Sequence, residues 1–368
     1  MHTMSYLKHI RRDLQDMQAY TVQNATGMVK LDAMENPFPL PQRLQALLGE
    51  QLGKVAVNRY PGSRIDDLKH AIAQHVGLPD AYSLILGNGS DELISLLSMA
   101  CQMPGASVLA PEPGFVMYAM SAKLQGLHYI PVSLRDDFEL DEPAMVDAIR
   151  THQPAIVYLA YPNNPTANLW DVAVIKRLIA QVSAYGGWVV MDEAYQPFSP
   201  ETWLHEIKRD PLANAQVLLM RTLSKFGLAG VRIGYMLGRA DVIAQLDKIR
   251  PPYNISVLNA ECALFALSHA QVFEQQAADI CHERARVSQQ LATMAGVTVF
   301  SSHANMFLIQ LQGDENVATR VFEALRLKHI LVKNVSKMHP VLHHCLRITV
   351  GTSSENDQFL SALKEVLA

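Results

Sequence analysis

The sequence predicts an α/β protein, with a large domain on a mainly parallel sheet covered by helices and a smaller α+β domain beside it. Three observations predict it. Short apolar runs alternate with longer helical patterns through the middle of the chain. The runs are apolar almost without interruption, as strands buried on both faces must be. After Arg250-Pro251-Pro252 the pattern changes to a long helical stretch and weaker strands. A chain of 368 residues is also long for one hydrophobic core, which fits two domains. The expected division is an N-terminal arm (or part of the small domain) over 1–40, a large domain over 41–255 and a small domain over 256–368.

Taken in order, SLILG (83–87) is the first strand candidate of the large domain. DELISLLSMACQ follows, where Leu93, Ile94, Leu96 and Leu97 form a helical apolar face. SVLA (107–110), AIVYLA (155–160), WVVM (188–191), QVLLM (216–220) and RIGYML (232–237) are further strands. In the last third, a helical pattern runs to about Arg286, then the strands TVF and MFLIQL, then a helix ending in EVLA. The strand ends carry the functional signal. SLIL runs into GNGSDE, SVLA into PEPGF, AIVYLA into YPNNPT, WVVM into DEAY and QVLLM into RTLSK. Ligands of open α/β sheets bind outside the carboxyl ends of the strands. Parallel strands would therefore bring Ser90, Asn164, Asp192 and Lys225 to one crevice.

Composition narrows the function. Apolar residues make up 49% of the chain and charged residues 18%, as in a packed soluble protein. The net charge is −4 with no basic stripe, so nucleic acid is not an expected partner. Cys101, Cys262, Cys281 and Cys345 are scattered, as suits reduced thiols. The opening residues lack an apolar signal core, and no stretch is long enough to span a membrane. A cytoplasmic enzyme is expected. His339, His343 and His344 lie close together, but Pro340 breaks their helical spacing and no acidic ligand adjoins them, so no metal site is expected.

GNGSDE places two glycines at a strand exit and opens a helix at Ser90 or Asp91, with Ser90 a suitable N-cap and free N–H groups for an anion. Taken alone it fits an ordinary tight turn equally well. Glu92 stands where a dinucleotide fingerprint needs its third glycine, and no phosphate loop of the nucleotide triphosphatases is present. Asp91 and Glu92 favour a single phosphate, which Thr222, Ser224 and Arg232 could help to hold. Lys225 lies between apolar LLM and GLAG beside Arg232. Desolvation and a neighbouring cation both lower a lysine pKa, which activates it as a Schiff-base nucleophile, although a loop lysine is more often a solvated charge. Asp192 could pair with a protonated ring nitrogen or cap the EAY turn. Phosphate cradle, lysine and carboxylate are together the requirements of pyridoxal 5′-phosphate.

DEAY, TLSK, PNNPT, GNGSDE, RYPG and LRITVGT together resemble the fold-type I, class II aminotransferases of the histidinol-phosphate aminotransferase group, from Tyr20 and LDAMENP to the C-terminal LRITVGT. The resemblance implies a seven-stranded large-domain sheet, a homodimer and pyridoxal phosphate. It implies that Lys225 forms the imine with the cofactor and then shuttles a proton. Asp192 would hold the pyridine nitrogen protonated, while Asn164 and Tyr195 would bond the ring O3′. Phe115 would stack on the ring. The backbone of Ser90 and Asp91, with Thr222, Ser224 and Arg232, would hold the phosphate, and Tyr60 would reach the phosphate of the other subunit's cofactor. Tyr60 in RYPG also reads as a simple turn, and Tyr195 as core. Arg347 would grip a substrate carboxylate or phosphate, although a surface strand arginine is common. Tyr20, Asn36, Asn254 and Lys333 match substrate-side positions.

The implied reaction joins L-histidinol phosphate and 2-oxoglutarate to 3-(imidazol-4-yl)-2-oxopropyl phosphate and L-glutamate, a step of histidine biosynthesis. Two departures bear on it. Ala167 replaces the glycine of PNNPTG, which is compatible with a negative φ. Lys333 stands where arginine is usual and lacks its bidentate fork. An aromatic amino-acid aminotransferase and a phosphothreonine decarboxylase of the same fold use the same cofactor chemistry. A cofactor-binding regulatory module is the non-enzymatic alternative, but the residues before the sheet are too few for a DNA-binding domain.

Overall fold

The computed structural model describes residues 5–15, 17 and 23–368. Its strands are β1 (Val29–Lys30), β2 (Tyr82–Asn88), β3 (Ser107–Glu112), β4 (His128–Ser133), β5 (Ile156–Ala160), β6 (Trp188–Asp192), β7 (Val217–Thr222) and β8 (Ile233–Arg239), followed by β9 (Val297–Val299), β10 (Met306–Leu311), β11 (Ile330–Leu331), β12 (Lys333–Asn334) and β13 (Cys345–Thr349). The large sheet has seven strands in the order β2-β8-β7-β6-β5-β3-β4. Strand β8 is antiparallel to β2 and β7, and the other neighbours are parallel. Six carboxyl ends and the amino end of β8 therefore share one edge. That is why Arg232, just before β8, arrives beside the residues leaving β2 and β7.

The apolar runs are continuous because both faces of the sheet are covered. Val157, Leu159, Val189, Met191, Val217 and Leu219 belong to the core on one face. Their neighbours Ile156, Tyr158, Val190, Leu218 and Met220 belong to the core on the other. Each such side chain contributes roughly 1.5–3 kcal/mol on burial. Strand β4 is absent from the sequence-based expectation, and its position explains why. It lies at the sheet edge, where Ile130 and Val132 are buried while His128, Pro131 and Ser133 are exposed, so it has no continuous apolar run.

Beyond Pro252 the long helical pattern is two helices, Val257–Ser268 and Ala270–Leu291, broken at His269. A second, antiparallel sheet follows in the order β12-β13-β10-β9. The LRIT segment forms one of its inner strands, with Leu346 and Ile348 in a core shared with Phe307, Phe359 and Leu363. Thr352 starts the last helix, Ser353–Leu367, through a reciprocal capping box with Glu355, a device worth about 0.5–2 kcal/mol. The N-terminal segment joins this part of the molecule, since β1 pairs in parallel with β11. Among the described residues, no helix is long and apolar enough to cross a membrane.

Candidate active site

A cavity of about 350 Å³ opens at the carboxyl edge of the large sheet. It adjoins the loops that leave β3 and β5, between which the strand order reverses, the usual ligand crevice of such sheets. Ser90, Asp91, Phe115, Asn164, Asp192, Tyr195, Thr222, Ser224, Lys225 and Arg232 all line it. Residues separated by up to 142 positions in sequence thus reach one site because parallel strands release them at the same edge.

One end is a cradle for an anion. The helix Ser90–Ala100 points its N-terminus into the cavity, where among the described residues no N-cap side chain bonds its first-turn N–H groups and the dipole is positive. The helix starts at Ser90, one of the two starts expected from sequence, but its N-cap is Gly89 and not Ser90. The residue at 89 must be glycine for a steric reason. Gly89 has φ 79, and a Cβ there would collide with Arg232 Nη2. Only glycine lets the guanidinium lie against the helix start, where Arg232 meets Asp91 at 3.5 Å. Arg232 Nη1 also donates to Ser224 Oγ at 3.5 Å, and the Thr222 hydroxyl donates to Ser224 Oγ at 2.9 Å. Gly227, with φ 129, and Arg232, with φ 55, make the reversal that returns the chain to β8.

The floor holds two ionisable groups shifted toward each other. Burial first, then the nearby Arg347 and Arg232 cations, lower the Lys225 amine to about 8, against an opposing pull from Glu35. Its Nζ donates to the Ala33 carbonyl at 3.2 Å and lies 5.8 Å from the Tyr195 ring centre. Burial raises the Asp192 carboxyl to about 6, although it accepts hydrogen bonds from the Tyr118 hydroxyl at 2.6 Å and from Ala194 N–H at 3.1 Å. Burial also raises the Tyr195 phenol. Beneath the floor, Glu193 and Arg221 form a buried ion pair at 2.8 Å between the ends of β6 and β7. That pair holds the strand ends carrying Asp192 and Thr222 together.

Other expected residues lie around the cavity. Arg347 is buried on β13 and spans two elements, donating to Asn164 Oδ1 at 2.7 Å and to the Asp32 carbonyl at 2.8 Å. Lys333 faces Arg347 across β12 and β13, so both side chains leave the same sheet face. Asn36 is next to the lining residues but bonds Gln276 at 3.0 Å. Asn254 lies outside the lining, with its amide donating to Leu86 O and Glu92 Oε2. Tyr60 is 73% exposed, away from this chain's cavity, and stacks on Tyr253 with ring centres 4.1 Å apart. Tyr20 lies outside the described residues.

Ala167 departs from expectation. Its φ is 63, not negative, while its N–H donates to Asn163 O at 2.8 Å and its carbonyl accepts from His303 N–H at 2.8 Å. The loop imposes the left-handed conformation on alanine, at a cost of about 1–2 kcal/mol. Sequence reasoning also missed Tyr118 and the lining residues Ala33, Met34 and Glu35. Tyr118 sits on a helix three residues after Phe115 and reads as core; nothing local announces its contact with Asp192.

These residues suit pyridoxal phosphate. The ionised form of Asp192 is buried and costly, and a cationic ring nitrogen would relieve it. Lys225 holds a low-pKa amine for an aldehyde, and the helix start with Arg232 offers a cradle for an anion.

The aminotransferase class I and II family model matches residues 26–363. The histidinol-phosphate aminotransferase of Paracidovorax citrulli is 57% identical, covering 98% of each chain. Histidinol-phosphate aminotransferase 1 of Burkholderia lata is 51% identical, covering 97% of this chain and 98% of its own. Among solved structures, the histidinol-phosphate aminotransferase from Sinorhizobium meliloti in complex with pyridoxal-5′-phosphate superposes with a TM-score of 0.84 at 24% identity, covering 99% of both chains. The L-threonine-O-3-phosphate decarboxylase from Porphyromonas gingivalis shares the fold at a TM-score of 0.75 and 21% identity, covering 92% of this chain and 98% of its own.

Proposed function

The chain belongs to the aminotransferase class I and II family, and we propose that within it the protein is a histidinol-phosphate aminotransferase. It exchanges the amino group between L-histidinol phosphate and 2-oxoglutarate, giving 3-(imidazol-4-yl)-2-oxopropyl phosphate and L-glutamate. The observation that carries this reading is 57% identity to a relative bearing that name over 98% of the chain. The decarboxylase likeness, at 21% identity, is one of fold alone, and the aromatic aminotransferase and regulatory-module readings have no comparable support.

Pyridoxal phosphate, when bound, supplies an aldehyde for the amine and a ring that accepts electrons. The chain supplies the rest. Lys225 Nζ, half neutral near pH 8, is the nucleophile and the base that takes the proton from the substrate carbon bearing nitrogen. Asp192 would keep a ring nitrogen protonated, and Asn164 and Tyr195, which line the same cavity, would bond the ring's phenolic oxygen. The backbone N–H groups of Ser90 and Asp91, with Thr222, Ser224 and Arg232, would hold the cofactor phosphate, and Phe115 would cover the ring. Arg347, with Lys333 on the same sheet face, receives the acidic group of each substrate. The test is the absorbance of the purified holoenzyme with L-histidinol phosphate and no keto acid. Loss of the cofactor's aldehyde-derived band upholds the assignment, and a band that responds only to phenylalanine or tyrosine overturns the substrate.

Tyr118 acts on Asp192 and not on substrate. Tyr118→Phe removes the hydrogen bond that draws the Asp192 carboxyl down. Its pKa then rises further, and the carboxyl is partly protonated at pH 7. Cofactor affinity at pH 7 is expected to fall about tenfold, the scale of one hydrogen bond to a charged group, with most of the loss recovered near pH 8.5. Fluorescence titration of the cofactor-free protein at both pH values checks this. An equal loss at both would assign Tyr118 to packing.

We further propose a cytoplasmic homodimer with shared active sites. Two features support it: the stacked Tyr60–Tyr253 pair, exposed by 73% and 56%, and four cysteines without disulfides. In this reading Tyr60 reaches the cofactor phosphate of the partner subunit. Tyr60→Phe is expected to weaken cofactor retention about three- to tenfold, the worth of one hydrogen bond, with sedimentation unchanged. Unaltered retention on dialysis would count against a shared site.

A further inference from the structure

The cradle and the floor account for most of the cavity lining. The remaining wall is the segment Ala33, Met34 and Glu35, which has no regular secondary structure. It is nevertheless tied down along its length. Arg347 Nη2 donates to Asp32 O at 2.8 Å, Met34 N–H donates to Thr349 Oγ1 at 2.9 Å, and Asn305 Nδ2 donates to Met34 O at 3.0 Å. Met34 is held at φ 52. Side chains rarely adopt that conformation, and it persists where the surroundings over-determine it, commonly at binding sites. Its effect here is to set a thioether, 8% exposed, in the cavity wall with a carboxylate immediately after it. The wall also touches the reacting amine, since Lys225 Nζ donates to Ala33 O at 3.2 Å. A substituent one or two bonds from the reacting carbon therefore falls within its reach.

Resting on the function proposed above and deepening it, we propose that Met34 and Glu35 read the ring of the amino donor. The Met34 thioether packs on the ring face, and the Glu35 carboxylate accepts a hydrogen bond from a ring N–H. The chemistry of the two groups selects the ligand class. A thioether is soft and favours aromatic faces. An ionised carboxylate only accepts hydrogen bonds. Together they suit a planar ring with N–H at its edge, such as imidazole, over a phenyl ring that satisfies the thioether alone. Lys30 steadies the carboxylate through Glu35 Oε2 at 2.6 Å, and the other oxygen has no hydrogen-bond partner among the described residues.

The test compares wild type, Met34→Ala and Glu35→Gln as holoenzymes. Calorimetry gives dissociation constants for 3-(imidazol-4-yl)propyl phosphate and 3-phenylpropyl phosphate, which lack the amine and cannot react. Steady-state kinetics with L-histidinol phosphate complete the set. Glu35→Gln is expected to weaken the imidazole ester about tenfold, the gap between a charged and a neutral acceptor, and the phenyl ester less than about twofold. Met34→Ala is expected to weaken both by roughly three- to tenfold, as lost packing against a ring. In turnover, KM rises in both variants while kcat holds within about threefold, the mark of uniform binding. Equal weakening of the two esters by Glu35→Gln, or no change in either, overturns the inference while wild-type turnover of histidinol phosphate keeps the function. If wild type does not turn over histidinol phosphate, the function falls and this inference with it.

Discussion

Lys225→Ala is expected to lower turnover by more than about 10⁴-fold and to leave the protein folded. One residue removes both a positioned base, worth roughly 10²–10⁴-fold, and the covalent nucleophile. The fold should survive because the amine donates its hydrogen bond to the Ala33 carbonyl, on a segment that Arg347, Thr349 and Asn305 hold independently. Unfolding curves of the cofactor-free proteins test the second half, and single-turnover absorbance with L-histidinol phosphate tests the first. Turnover within tenfold of wild type would end the assignment of Lys225. The wild-type amine makes a companion result readable. With its pKa lowered to about 8, the neutral, nucleophilic fraction grows as pH rises toward that value and levels above it. The rate at which pyridoxal phosphate attaches to cofactor-free protein should follow the same curve.

Asp192→Asn is expected to act in opposite directions on activity and on the stability of the cofactor-free protein. Asparagine cannot hold a proton on a ring nitrogen, and loss of a preorganised electrostatic partner costs about 10²–10³-fold. Stability follows from the carboxyl's shift from 3.8 to about 6, caused first by burial. The folded state holds this proton more tightly than the unfolded state does. The benefit is complete below about pH 4 and is lost as pH rises through 6, leaving a penalty at neutral pH of up to roughly 3 kcal/mol. The uncharged asparagine side chain escapes that penalty. Cofactor-free Asp192→Asn should therefore melt a few degrees above wild type at pH 7.5, with the gap narrowing toward pH 5. With pyridoxal phosphate bound the order should reverse, because the ring cation compensates wild-type Asp192 only. Identical melting at both pH values would show that the buried carboxylate is compensated by the protein itself.

Much of this molecule is decided by sequence alone, and the reason is periodicity combined with strand direction. A run such as QVLLM can be satisfied only where both faces are buried, which places it inside a covered sheet. Once such strands are parallel, the residues following each one arrive at a common edge. DEAY, PNNPT, GNGSDE and RTLSK therefore indicate the crevice by their positions in the sequence. Periodicity also accounts for what was missed at β4, where an edge strand buries one face and alternates.

Contacts between elements were decided by the tertiary structure. Tyr118 meets Asp192 across 74 residues and Arg347 meets Asn164 across 183. Helix packing and strand register set those meetings, and neither is written in local sequence. Backbone conformation behaves likewise. Ala167 and Met34 carry no residue-type signal for positive φ, yet hydrogen bonds from distant residues hold both there. Ser90 is a better N-cap than Gly89 by residue preference. The guanidinium of Arg232 occupies the space a side chain at Gly89 would need, a contact that residue preference at the cap does not express. Burial patterns are local averages that sequence can express. A particular atom's neighbour depends on the packing of the whole chain, which only the folded structure resolves.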